Sequence, residues 1–178
     1  MNLARLAAPI LITFWCAGCD RATTPQPAPA LLVNDSPHLD RAMPKLPTVK
    51  LWVGAQELET EVAITMTQVA TGMMFRQKME ENEAMLFVFA EPQPRQFYMK
   101  NCTVPLSAAY IDPEGVIVEI VPLQPGVEAP VPSKSDQVQF VLETKQGWFE
   151  RHNVSAGAII RTERGTLRDS FAGRAVMR

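Results

Sequence analysis

Four polar side chains sit at the ends of apolar runs, where a charge needs a reason to be. Arg76 ends Met73-Met74-Phe75, Lys100 and Asn101 end Phe97-Tyr98-Met99, and Asp112 ends Leu106–Ile111. A cation in such a place must reach solvent, pair with a carboxylate or serve a site. If Arg76, Lys100 and Asn101 converge, they form a donor-rich pocket for a carboxylate, a phosphate or a sugar oxygen. Asn101 would orient the ligand with both a donor and an acceptor. Each residue also has a structural role open to it: Arg76 at a helix C-terminus, Asp112 capping a turn, Lys100 paired with Glu143. Proton transfer between Lys100 and Asp112 is the one enzymatic step that these residue types offer.

Sulfur is the second concentration of chemistry. Six of the nine methionines fall between Met66 and Met99, and Cys102 follows. Outside the cytoplasm, such thioether and thiolate ligands suit Cu(I). Methionine is also a common core filler, and Cys102 reads as a small buried side chain whose pKa Lys100, two residues away, could lower. Glu57, Glu59 and Glu61 alternate along one strand, which fits a solvated face protecting a sheet edge rather than a metal site. His38 lies in a proline-rich stretch, and no serine or cysteine motif makes His152 a base. The sequence has no Gly-rich phosphate loop and no metal-ligand spacing. The residues favour a non-catalytic binding or accessory module over an enzyme, and no cofactor is expected.

These side chains need a scaffold, and the 178-residue chain has room for one domain with extensions. Hydrophobic residues are 47% and charged residues 20%, a globular balance. A net charge of −2 gives no electrostatic case for nucleic acid. Arg5, the apolar stretch Leu6–Trp15 and Ala17-Gly18-Cys19 resemble a bacterial lipoprotein signal, with 1–18 removed and Cys19 acylated. Cys16 stands where such signals usually carry an aliphatic residue. The expectation is an anchor on the periplasmic side of a bacterial membrane, with a secreted or soluble periplasmic protein as runner-up. Residues 19–47, with prolines from Pro25 to Pro47, read as a semi-rigid tether. The body, 48–160, carries eight basic against fourteen acidic side chains, and the segment after it is basic. Residues 163–178 read as a basic tail, solvated in preference to lying on anionic lipid.

Within the body, Val49–Val53 and the alternating Glu57–Ile64 predict strands around a turn at Gly54-Ala55. Thr67 is a cap for a helix over Gln68–Phe75. Met85–Phe89, apolar on both faces, predicts a central buried strand. Further strands follow at Gln96–Met99, Leu106–Ile111, Val116–Val121, Val138–Leu142 and Ala158–Ile160, with a hairpin turn at Asp112-Pro113-Glu114-Gly115. Residues 122–136 read as a long loop, and 146–152 as a short helix. The expected fold is α+β, mainly β. It is one small domain with about eight strands in a strongly curved or barrel-like, antiparallel-rich sheet and two short helices.

Several separated blocks resemble the bacterial and archaeal family called domain of unknown function 192. They are Thr71–Arg76, Met85–Phe89, Phe97–Asn101, Pro105-Leu106, Tyr110–Asp112, Gly115–Ile120, Phe140–Glu143 and Gly147-Trp148. The resemblance spans about 48–162 and implies a small, mostly β, often exported domain with no agreed activity. Departures include Gln68, Val69 and Thr71 at places usually acidic or basic. Met73 replaces Leu, Ala84 replaces Gly, Tyr98 replaces Trp, Cys102 replaces Thr, and Ser107 replaces Asp. The resulting expectation is an envelope lipoprotein that binds a small anionic or polar ligand or an envelope protein through Arg76, Lys100, Asn101 and Asp112. The alternatives are an enzyme using Lys100 and Asp112, or Cu(I) binding through the methionines and Cys102.

Overall fold

A computed structural model describes residues 37–173. Cys19, the expected signal segment 1–18, most of the expected tether 19–47 and the last five residues lie outside them. The described chain runs β1 (Thr48–Val53), β2 (Gln56–Ala63), α1 (Met66–Thr71), β3 (Glu83–Val88), β4 (Gln96–Phe97), β5 (Leu106–Ile111) and β6 (Ile117–Leu123). It continues through β7 (Val131–Pro132), β8 (Phe140–Lys145), α2 (Trp148–Arg151), β9 (Ile160–Thr162), β10 (Gly165–Thr166) and α3 (Leu167–Phe171). The fold is mainly β, as expected: eight strands curl into a half-barrel in the order β10-β9-β1-β2-β3-β8-β5-β6. Pairing is antiparallel except between β2 and β3. Parallel neighbours need a crossover, and the segment between them carries α1.

Every residue of β5 is buried, as are all but one residue each of β3 and β8. Successive side chains point to opposite faces, so these strands feed two cores. Leu86, Val88, Phe140, Leu142 and Ile111 join Trp148 and Phe149 of α2 and Leu167 and Phe171 of α3. On the other face, Met85, Phe87, Val141 and Tyr110 meet Met73, Met74, Met99, Cys102 and Val104.

Local chemistry moves several expected boundaries. Thr65, not Thr67, caps α1. Its Oγ1 accepts from the Gln68 amide at 3.3 Å, and the Gln68 side chain accepts in return from the Thr65 amide at 3.0 Å. The residue three after Thr67 is Ala70, which cannot reciprocate. Gly72 ends the helix at φ +46, where a Cβ would lie 3.2 Å from the Phe87 ring. The Gln96–Met99 run pairs over only two residues, in a separate two-stranded sheet with β7 from the long loop. Glu57 and Glu59 remain at the surface, but Glu61 is buried. The proline-rich segment ends against the domain: Met43 is buried, and the Leu39 amide donates to Thr71 Oγ1 at 3.0 Å. His38 is half-buried there.

The C-terminal segment is not solvated throughout. Thr166 and Asp169 form a capping box for α3, and Leu167 and Phe171 are 0% and 6% exposed. Leu167→Ala should therefore destabilise the domain by about 2–5 kcal/mol, as for other buried leucines. Urea unfolding measures this, and a change within about 0.5 kcal/mol would place α3 outside the cooperative core.

Candidate functional site

The sequence-predicted residues do not form one donor-rich pocket. Arg76 grips Glu61 in a two-pronged ion pair at 2.6 and 2.8 Å, and Glu61 Oε2 also accepts from the Leu46 amide at 2.7 Å. The Arg76 charge is thus committed to fastening β2 to the loop after α1. Asn101 is exposed at φ +56, and its carbonyl accepts from the Phe75 amide at 2.8 Å. Phe75 itself sits at φ +62, a left-handed conformation that costs a bulky residue energy and persists only where its surroundings enforce it. Thr103 Oγ1 adds a bond to the Arg76 carbonyl at 2.9 Å. Arg76 and Asn101 therefore stitch two loops together. Asp112 caps its turn, accepting from the amides of Glu114 and Val116 at 3.0 and 2.9 Å. Lys100 is half-buried and has no ion-pair partner within 4 Å among the described residues, so the expected pair with Glu143 does not form.

The chemistry concentrates next to those loops. A cavity of about 350 Å³ lies over the second core, between the end of α1 and the segment around β4. Its lining includes Met73, Met74, Phe87, Phe97, Arg95 and Glu143, with Cys102 beside them. Pairing register places Glu143 on β8 between Met85 of β3 and Ala108 of β5, in the centre of the sheet. Its side chain is enclosed, with the residue 4% exposed, and Oε2 has no hydrogen-bond partner. Burial alone pushes its carboxyl up from an ordinary 4.5 to about 8. Burial, and secondarily the Glu143 charge, pushes the Cys102 thiol up to about 12. This reverses the activation expected from Lys100.

Arg95 brings the cation to the cavity. Its guanidinium lies 3.7 Å from the Phe89 ring centroid, and its Nη2 donates to the Glu91 carbonyl at 2.6 Å. Its Nε is buried without a partner, and burial pulls its pKa down to about 10. The aromatic wall is braced: Phe97 meets Phe87 edge-on at 4.9 Å, and the Tyr110 hydroxyl donates to the Val131 carbonyl at 2.5 Å. A larger concavity of about 550 Å³ lies by β1 and the C-terminal segment. There Lys50 already pairs with Glu57 at 2.8 Å.

Sequence reasoning missed Arg95 as a site residue and gave Glu143 only a pairing role. The available signal was a carboxylate inside Phe140-Val141-Leu142-Glu143-Thr144, a run with no room for an outward face. Arg95, between Pro94 and Gln96, carries no local signal.

The model of the DUF192 family, described as an uncharacterized group, matches residues 49–162. The chain belongs to the DUF192 family. Among solved structures, it is similar to a Sinorhizobium meliloti 1021 protein provisionally named a transcription regulator. The two share 30% identity and a TM-score of 0.63, over 68% of this chain and 98% of that one. It is also similar to a Novosphingobium aromaticivorans DSM 12444 protein of unknown function, with 26% identity and a TM-score of 0.62, over 65% and 86% of the two chains. No curated protein matches. The matched DUF192 region contains the whole cavity lining and ends before α3.

The raised carboxyl has a consequence for stability. Between pH 4.5 and about 8 the folded state holds a proton on Glu143 that the unfolded chain has released. The contribution of this group is full below 4.5 and is lost as pH rises through that window, at about 1.4 kcal/mol per pH unit for one proton. Glu143→Gln should flatten that slope and gain on the parent as pH rises. Urea midpoints at pH 5.5 and 7.5 test this, and equal slopes in the two proteins would show that Glu143 ionises normally.

Proposed function

We propose that this DUF192 protein is a lipid-anchored envelope protein whose domain is a non-catalytic binding module, with the cavity at Glu143 as its ligand site. One observation carries the site: an enclosed carboxyl with an unpartnered oxygen lines a cavity of about 350 Å³ with an aromatic and methionine wall. Ligand sites are typically apolar concavities of this order with a few placed polar groups. An enclosed polar atom without a partner costs about 1–3 kcal/mol, which a ligand group bonded to it would offset. In this reading Arg76 and Asn101 hold the Met73-Met74 wall in place. Lys100 remains the one residue of the original four with an uncommitted charge, beside the site. Asp112 is engaged by its own turn, which weakens the alternative of proton transfer with Lys100.

The anchor reading rests on Leu6–Trp15 and Ala17-Gly18-Cys19, followed by a proline-rich spacer. Among the described residues, no helix is long and apolar enough to cross a membrane. A second reading, Cu(I) at the same place, is favoured by Met73, Met74 and Cys102 sharing the lining, and opposed by the high thiol pKa.

Thermal-shift measurements on the full-length chain, with a panel of small polar, anionic and amphipathic metabolites and Cu(I), test the site. A ligand present at 100 times its Kd should add about 2.7 kcal/mol of stability. That gain should vanish in Glu143→Gln and persist in Lys100→Ala. A gain lost only in Lys100→Ala would return the site to the loop residues, and a Cu(I) response lost in Met74→Leu would favour the metal. For the anchor, Cys19→Ala should move the protein from the membrane fraction to the soluble one. Mass spectrometry of the membrane-extracted parent should show acyl mass on an N-terminal Cys19, and an unmodified Cys19 would exclude acylation there.

A further inference from the structure

We infer that the cavity takes a small zwitterion with an apolar body, its ammonium group on Glu143 and its carboxylate on Arg95. This rests on the reading of the cavity as a ligand site and names the chemistry of its occupant. Glu143 and Arg95 line the same space, one a carboxyl that burial keeps protonated near neutrality and the other a guanidinium, and each has a buried atom without a partner, Oε2 in one and Nε in the other. They do not satisfy each other: no ion pair joins them, and burial alone perturbs both groups. A carboxyl and a guanidinium that share a cavity without pairing leave room for a molecule that pairs with both.

The rest of the lining sets the body of that molecule. Met73, Met74, Phe87 and Phe97 present thioether and ring surfaces, which favour an aliphatic or aromatic group. One ring of the lining already accepts a cation, the Arg95 guanidinium 3.7 Å from the Phe89 centroid. The smallest common molecule with an ammonium, a carboxylate and an apolar group is an apolar amino acid. Its ammonium needs the Glu143 carboxylate, so binding near neutrality should release close to one proton from a carboxyl that titrates at about 8. The neighbouring Cys102 and Tyr110 keep their protons to about 12 and contribute none.

Methionine-methyl NMR on the full-length chain tests the inference, because Met73 and Met74 report any occupant of the cavity. The probes are leucine, methionine and phenylalanine, against 4-methylpentanoate, 3-methylbutylamine and glycine. The apolar amino acids should shift the Met73 and Met74 signals and bind at least tenfold more tightly than any of the three controls. Glu143→Gln should abolish the preference for leucine over 4-methylpentanoate, and Arg95→Met the preference for leucine over 3-methylbutylamine. Calorimetry in two buffers of different ionisation enthalpy should show the proton release in the parent and not in Glu143→Gln. A singly charged analogue that binds as tightly as leucine would overturn the zwitterion while leaving a ligand cavity in place. No shift at Met73 or Met74 with any probe would also overturn it, and the broader thermal-shift panel then decides separately whether the cavity binds ligands at all.

Discussion

The middle of the sheet is apolar on both sides, because every residue of β5 and all but one each of β3 and β8 are buried. A sheet in that condition must be covered twice. One cover is compact: α2 and α3 supply Trp148, Phe149, Leu167 and Phe171 to the first core. The other is assembled from the end of α1, the loop after it and the segment from Phe97 to Val104. Helix faces pack closely on a sheet. Loops rich in methionine and phenylalanine leave irregular space, and the cavity is on their side.

That cover is held by polar work at its margin. The Arg76–Glu61 pair, the Phe75–Asn101 backbone bond and the Thr103 bond to the Arg76 carbonyl tie the loop after α1 to β2 and to the segment after β4. A largely buried ion pair of this kind adds little net stability, since desolvation offsets attraction, but losing one partner is costly. Its value here is positional. The left-handed backbone at Phe75, next to Met74 of the cavity lining, stores strain, which is most often associated with function.

Glu143 is the counterpart in the floor. A leucine at this position would satisfy the sheet better, since the neighbours Met85 and Ala108 are apolar. A carboxyl kept there, with Arg95 across the same cavity, is a local violation of the packing logic that the rest of the domain follows. Such violations concentrate at functional sites. The DUF192 match covers both residues and the rest of the cavity lining, so the cavity lies within the domain that gives the family its fold.

The sequence by itself determined the class of fold. Period-two alternation at 57–64, the two-faced apolar run Met85–Phe89 and the Asp112–Gly115 turn are local signals, and each specifies a strand or a hairpin wherever it stands. It did not determine which polar residues meet. Arg76, Lys100, Asn101 and Asp112 stand out in the chain because they interrupt apolar runs. Yet Arg76 found a carboxylate fifteen residues away, and Asp112 found the amides of its own turn. Glu143 and Arg95 are 48 positions apart and carry no shared pattern. Only the pairing of β8 between β3 and β5, and the fold of the segment around β4 over the same face, bring them to one cavity. Secondary structure follows from neighbours in the chain, whereas a site follows from long-range register, which no local pattern encodes.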